Sequence, residues 1–202
     1  MKAEKFFEGT DGCGNHSKLK VVPGVWMNGK TYWMHDGEEH IHEEGVSVNW
    51  KKVTGDHIQM QEVMITNHLE RPCHIKLMFK HLLMESETDD ANDCLSFISP
   101  AKDVIFHLDD DHLFLIDGES RGYAKKAYTV QPFQNLFTGD IWACHRTGKL
   151  KYSPMVNGNA VSFCSFDFYF PGKGTTLGKS WIIRGKNDEE LIKMNKALLK
   201  TD

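Results

Sequence analysis

The chain has 202 residues, 40% of them hydrophobic and 26% charged, with a formal net charge of -4. That balance excludes an intrinsically disordered chain, and the scattered lysines form no basic stripe of the kind nucleic-acid binding requires. The five cysteines are widely spaced with no CxxC pair, so neither a disulfide-dense scaffold nor a zinc ribbon is expected, and reduced thiols in the cytoplasm fit better. No segment resembles a signal-peptide core or an apolar membrane span, so no membrane association is expected.

Residues 1–17 show little periodicity and read as a flexible N-terminal arm, with Phe6 and Phe7 able to tuck against the body. Residues 18–202 read as one β-sandwich domain. Within it, 19–27 and 30–34 form a hairpin about Asn28-Gly29, a pair that suits the left-handed dihedrals of a tight hairpin turn. Residues 46–52 place Val46, Val48 and Trp50 on one face.

The stretch 58–84 carries the strongest signal. Two apolar runs flank Asn67-His68-Leu69-Glu70-Arg71-Pro72, and the second alternates, with Ile75, Leu77, Phe79 and Leu83 opposite His74, Lys76 and Lys80. A period of two marks a half-buried strand, and the polar kink reads as the turn of a long antiparallel pair. Residues 85–93 are a polar loop, and short strands follow at 94–98, 104–108, 112–116 and 123–130. Residues 131–139 read as a loop with packed Phe133 and Phe137, and 141–145 with 150–152 as a hairpin about Thr147-Gly148.

Residues 160–170 form the second strong strand, with Cys164, Phe166, Phe168 and Phe170 opposite Ser165 and Asp167. The glycine-rich 171–178 reads as a mobile turn without phosphate-loop spacing, and 180–184 as a final strand. The helix at 188–200 is capped by Asn187, with Glu190 placed to reach back, and its apolar stripe is expected to dock at the sheet edge or bottom. The sum is an all-β fold: an antiparallel β-sandwich, immunoglobulin-like or jelly-roll-like, with one C-terminal α-helix.

The densest group of chemically capable side chains is His40, His42 and Glu44, which share a face if the backbone is extended. Imidazoles and a carboxylate are ligands for a divalent transition metal. The grouping resembles the first half of a cupin metal motif, with Gly37 before the HxH and Gly45 closing it. That resemblance implies a metal-dependent enzyme, with His107, His112 or His145 as a distant further ligand. The alternative is a solvated, charged loop with no metal or other cofactor, the reading preferred here.

Asp109-Asp110-Asp111 lacks the ligand spacing of a calcium loop and reads as an acidic turn. No nucleophile elbow occurs. Cys73 and His74 should point to opposite faces of their strand, and Glu62, Asp140 and Asp167 are isolated acids. Trp26 and Trp33 flank the first hairpin turn and could serve carbohydrate or a partner protein from an open face, although packing should claim most of the tryptophans. The expected function is a non-enzymatic binding or assembly module that contacts a protein partner or itself through exposed sheet edges. The alternatives are the cupin-like enzyme and a carbohydrate-binding module.

Overall fold

The computed structural model describes residues 18–34, 40–42, 45–84, 94–109, 112–122 and 124–200, with the backbone alone at 18, 40–42, 83 and 84. The expected N-terminal arm lies outside these residues, as does the polar loop at 85–93.

Alternating apolar positions build two antiparallel sheets. A five-stranded sheet runs in the order β10 (Lys125–Pro132), β14 (Ala160–Phe170), β6 (Cys73–Met84), β1 (Lys18–Met27), β2 (Lys30–Trp33). An eight-stranded sheet runs β13 (Met155–Asn157), β7 (Leu95–Ser99), β8 (Val104–Leu108), β9 (Leu113–Ser120), β15 (Gly174–Gly185), β5 (Ile58–Asn67), β4 (Val46–Thr54), β3 (His40–His42). A small hairpin, β11 (Trp142–Cys144) with β12 (Lys149–Leu150), a 3-10 turn at His145–Thr147, and two α-helices, α1 (Asn135–Thr138) and α2 (Asp188–Leu198), complete the described residues.

The sheets face each other across the main core. Ile75, Leu77 and Phe79 of β6 and Cys164 and Phe166 of β14 meet Val63 and Ile65 of β5, Ile116 of β9 and Ile182 of β15. Each such fully buried aliphatic or aromatic side chain contributes about 1.5–3 kcal/mol. The β1–β2 turn forms at Asn28 and Gly29, with φ of 50° and 78°, as a tight hairpin demands.

Both outer faces are covered in part. Leu191 and Leu198 of α2 pack on Phe106, Leu115, Trp181 and Ile183, so the helix lies on the outer face of the eight-stranded sheet rather than at an edge or bottom. Asn187 caps it, its Oδ1 accepting from the Glu189 N–H at 2.8 Å. On the far side, Leu136, Ile141, Trp142 and Leu150 cover Val161 and Phe163 of β14. The expected loop at 131–139 thus contains the one-turn α1, and its Phe137 packs edge-on against Phe133 at 5.3 Å while remaining 78% exposed.

Two expectations fail for one reason. The kink at 67–72 does not return β6 alongside β5. It carries the chain from one sheet to the other, β5 pairing with β4 and β15 and β6 with β1 and β14. The turn from β14 to β15 crosses beside it in the same way. Residues 174–178, expected to be a mobile turn, are the first half of β15, paired with 63–67 of β5. Glycine belongs there because a Cβ on Gly178 would come within 2.3 Å of Leu77 Cδ2 on the facing sheet.

Asn67 joins the two crossings. Its Nδ2 donates to the carbonyls of Leu69 (3.2 Å) and Gly172 (2.9 Å), and its Oδ1 accepts from the Leu69 N–H (3.1 Å). The β10 edge is closed by 151–154. Val130 N–H donates to Ser153 O (2.9 Å), Thr129 Oγ1 to Lys151 O (2.7 Å) and Gln131 Nε2 to Lys151 O (2.6 Å). Residues 129–131 of that edge are therefore not open to strand addition.

Candidate functional site

His40 and His42 sit on β3, opposite Val48 and Val46 of β4, so the extended backbone assumed for the HxH is present. Their side chains and Glu44 lie outside the described residues. The proposed distant ligands do not gather. His107 is buried between Ser96 and Ser162, His112 lies 3.6 Å from Asp109, and His145 packs on Trp142. Among the described residues, no group of three His, Cys, Asp or Glu is placed to hold a metal ion. Asp110 and Asp111 are outside the described residues, and Asp109 Oδ1 caps its turn by accepting from the His112 N–H at 2.7 Å.

Neither tryptophan of the first hairpin stands on an open face. Trp26 is 5% exposed, and its indole N–H donates to the His145 carbonyl at 2.8 Å. Trp33 is half-buried against Phe163, with Lys80 Nζ 4.2 Å from its ring centre. Burial, with a further push from Lys20, lowers the Lys80 pKa. Both indoles serve the outer layer under the β11–β12 hairpin, which brought together residues far apart in sequence.

Cys73 and His74 do face opposite ways. Cys73 packs on the main core, whereas His74 lies outside, 3.6 Å from Asp167 Oδ1, which also pairs with Lys76 Nζ at 2.8 Å. Glu62 and Asp140 are engaged by Lys51 (2.7 Å) and Lys151 (2.8 Å). Each of these acids is engaged by bases alone, so they are not two carboxylates across a cleft.

A concavity lies at the corner where β14 crosses into β15. It is a groove of about 440 Å³ whose walls include Met64, Arg121, Tyr169, Phe170, Lys173 and Thr176. That volume is in the range of small-ligand sites, about 300–1,000 Å³. Tyr169 projects outward from β14 and is 67% exposed, and Met64 on the outer face of β5 is 41% exposed. Arg121 is held by its backbone, its N–H donating to Leu177 O (2.8 Å) and its carbonyl accepting from Thr176 Oγ1 (3.0 Å).

Among the described residues the lining holds two cations and no carboxylate, in a chain with 24 basic and 28 acidic residues. Lys173 Nζ is 3.0 Å from Glu70 Oε1, an exposed pair, whereas the Arg121 guanidinium has no acidic partner among the described residues. Arginine offers planar, two-pronged donation to a carboxylate. The site was not visible in sequence because Met64, Arg121 and Tyr169 lie on three strands or strand ends. The one local sign was Tyr169 on the polar side of the 160–170 alternation.

No helix of the described residues is long and apolar enough to cross a membrane. No family model matches the chain, and no curated protein matches it. Among solved structures it is similar to a bacterial glucoamylase complexed with acarbose, at a TM-score of 0.48 and 8% identity. The match covers 90% of this chain and 29% of the glucoamylase chain, and at that score it carries no functional argument.

Proposed function

We infer that this chain is a non-enzymatic β-sandwich binding module that receives a short segment of a partner protein in the corner groove. The segment would carry a carboxylate beside an apolar or aromatic side chain. The observation behind this reading is the exposed Tyr169 and Met64 beside the Arg121 guanidinium, which has no acidic partner among the described residues, on a corner fixed by the Asn67 hydrogen bonds. Exposed aromatic and Met surface supplies contact area, and Arg121 supplies orientation. The free thiols of Cys144 and Cys164 fit a reducing compartment such as the cytoplasm.

A displayed library of short random peptides, selected on the whole chain and on Arg121→Glu and Tyr169→Ala variants, tests the proposal. Enrichment of acidic-apolar peptides by the parent chain, lost at least tenfold in both variants, supports it. Peptides that bind all three proteins equally, or no enrichment at all, overturn it. Tyr169-dependent binding of neutral oligosaccharides without any peptide selection would replace it with the carbohydrate reading. Concentration-dependent dimerisation abolished by the same variants would make the partner segment a second copy of the chain.

A further inference from the structure

The corner groove suits a segment that joins an aromatic side chain to a carboxylate, and the chain itself carries one. Residues 4–8 read Glu4-Lys5-Phe6-Phe7-Glu8, two phenyl rings followed directly by an acid. No other segment outside the described residues sets a Phe, Tyr or Trp next to an acid. The groove offers the complementary surface. Tyr169 and Met64 are exposed there, beside an Arg121 guanidinium with no acidic partner among the described residues. Phenyl rings pack well on tyrosine and on a methionine thioether, and a carboxylate is what a guanidinium orients by two parallel hydrogen bonds.

Reach decides whose segment enters. Lys18, at the start of β1, is the register partner of Met84, whereas Tyr169 at the groove is the register partner of His74. Met84 and His74 lie near opposite ends of β6, about 33 Å apart at the rise of a strand. The chain from Glu8 to Lys18 covers about 33–36 Å when pulled fully straight, so it only just spans that distance. Glycine-rich chains of this length ordinarily span about 16–19 Å, and Gly9, Gly12 and Gly14 lie in this one. Its own groove is thus beyond the ordinary reach of Glu8. A second copy lying antiparallel alongside removes the gap, because each copy then brings its groove beside the Lys18 of the other. Such a pair is two-fold symmetric and closes on itself, the commonest form of oligomer.

We propose that residues 4–8 of one copy occupy the corner groove of a second, Glu8 pairing with Arg121 and the phenyl rings packing on Tyr169 and Met64, in a dimer that exchanges both segments. The assignment rests on the groove being the binding site inferred above, and names its occupant. Sedimentation equilibrium of the full chain reads the association. The expected result is a parent dimer whose dissociation constant rises at least tenfold in a Phe6→Ala, Phe7→Ala double variant, in Glu8→Arg and in Arg121→Glu. The first two leave every residue of both sheets in place. Glu8→Arg and Arg121→Glu chains, each monomeric alone, should dimerise when mixed, because the mixed pair joins opposite charges in both grooves. A monomeric parent, a parent dimer that the Phe6, Phe7 and Glu8 substitutions leave unchanged, or a mixture of the folded variants that stays monomeric overturns the exchange. A monomeric parent that still enriches acidic-apolar peptides removes this occupant and leaves the groove reading standing, whereas a monomeric parent without enrichment removes both.

Discussion

Asp117 and Asn195 meet at 2.8 Å, the amide of the helix residue donating to Oδ2 of the strand residue. Asn195 Oδ1 in turn accepts from the Trp181 indole N–H at 2.7 Å, so a pair of polar groups fixes α2 on the outer face of its sheet. The other oxygen, Oδ1, accepts from Tyr128 Oη and from Lys126 Nζ at 3.1 Å, both on the opposite sheet. One buried carboxylate therefore fastens the helix and both sheets. Burial and the neighbouring Asp117 keep the Tyr128 hydroxyl protonated far above its usual range. Burial pulls the Lys126 pKa down, but Asp117 and Asp103 outweigh it, and the net shift is upward.

Removal of that carboxylate strands its partners. Asp117→Ala leaves Asn195 and Tyr128 without their acceptor and Lys126 with Asp103 alone, and should cost about 3 kcal/mol. Tyr128→Phe, which deletes one donor, should cost about 1 kcal/mol. Urea unfolding midpoints measure both. Equal small losses for the two variants would show that Asp117 is not the fastening group.

Acid should weaken the fold through the interior histidines. Burial lowers the pKa of His81 to about 3, with His107 adding to it and the Ser162 carbonyl opposing, and burial alone lowers His107 to about 3. Both lie below the ordinary value of 6.5, so the unfolded chain binds more protons between those limits. Stability is complete above about pH 6.5 and falls by about 1.4 kcal/mol per pH unit for each histidine on the way down to about 3. Between pH 7 and 5 the two together should cost about 4 kcal/mol. Unfolding midpoints at those two pH values test this, and a pH-independent midpoint would contradict it.

The paired sheet crossings rest on Asn67. Asn67→Ala loses one accepted and at least two donated hydrogen bonds at a residue 1% exposed, and should cost about 2–3 kcal/mol. Thermal unfolding reads the loss. A thermal midpoint unchanged from the parent chain would mean that the turns hold themselves.

Gly118 is closed in by the neighbouring strand β15 of its own sheet and by Cys164 of the facing sheet. A Cβ there would stand 2.5 Å from the Lys179 carbonyl oxygen, a backbone atom with no room to yield, and 3.1 Å from Cys164 Sγ. Gly118→Ala should therefore destabilise by about 1–3 kcal/mol, as overpacking does, although alanine is ordinarily harmless in a strand. The same substitution at Gly29 adds a Cβ with no atom within 4 Å but strains a φ of 78°. Its expected cost is smaller, about 1 kcal/mol. Denaturant midpoints ranking the two variants in the reverse order would contradict the packing account.

The strands were legible because burial on one face imposes a period of two on the residues themselves. Residues 160–170 show it: Cys164, Phe166 and Phe168 lie inside and Tyr169 outside. The Asn28-Gly29 turn was legible because backbone sterics act within a few residues. The C-terminal helix was legible from its cap and stripe. The corner groove was not, because no local rule relates Met64 and Arg121 to Tyr169.

Sequence by itself determined the local geometry of this protein: which residues are extended, which face of each strand is apolar, and where the chain reverses. The tertiary structure decided which reversals join partners in one sheet and which cross to the other, as at 67–72 and 170–174. It also decided that Trp26 is covered while Tyr169 stands free, and that Asp117 is the meeting point of helix and sheets. The physical reason is range. Steric and hydrophobic periodicity act between neighbours along the chain, whereas sheet assignment, burial of a given indole and partners for a buried carboxylate depend on residues dozens of positions away.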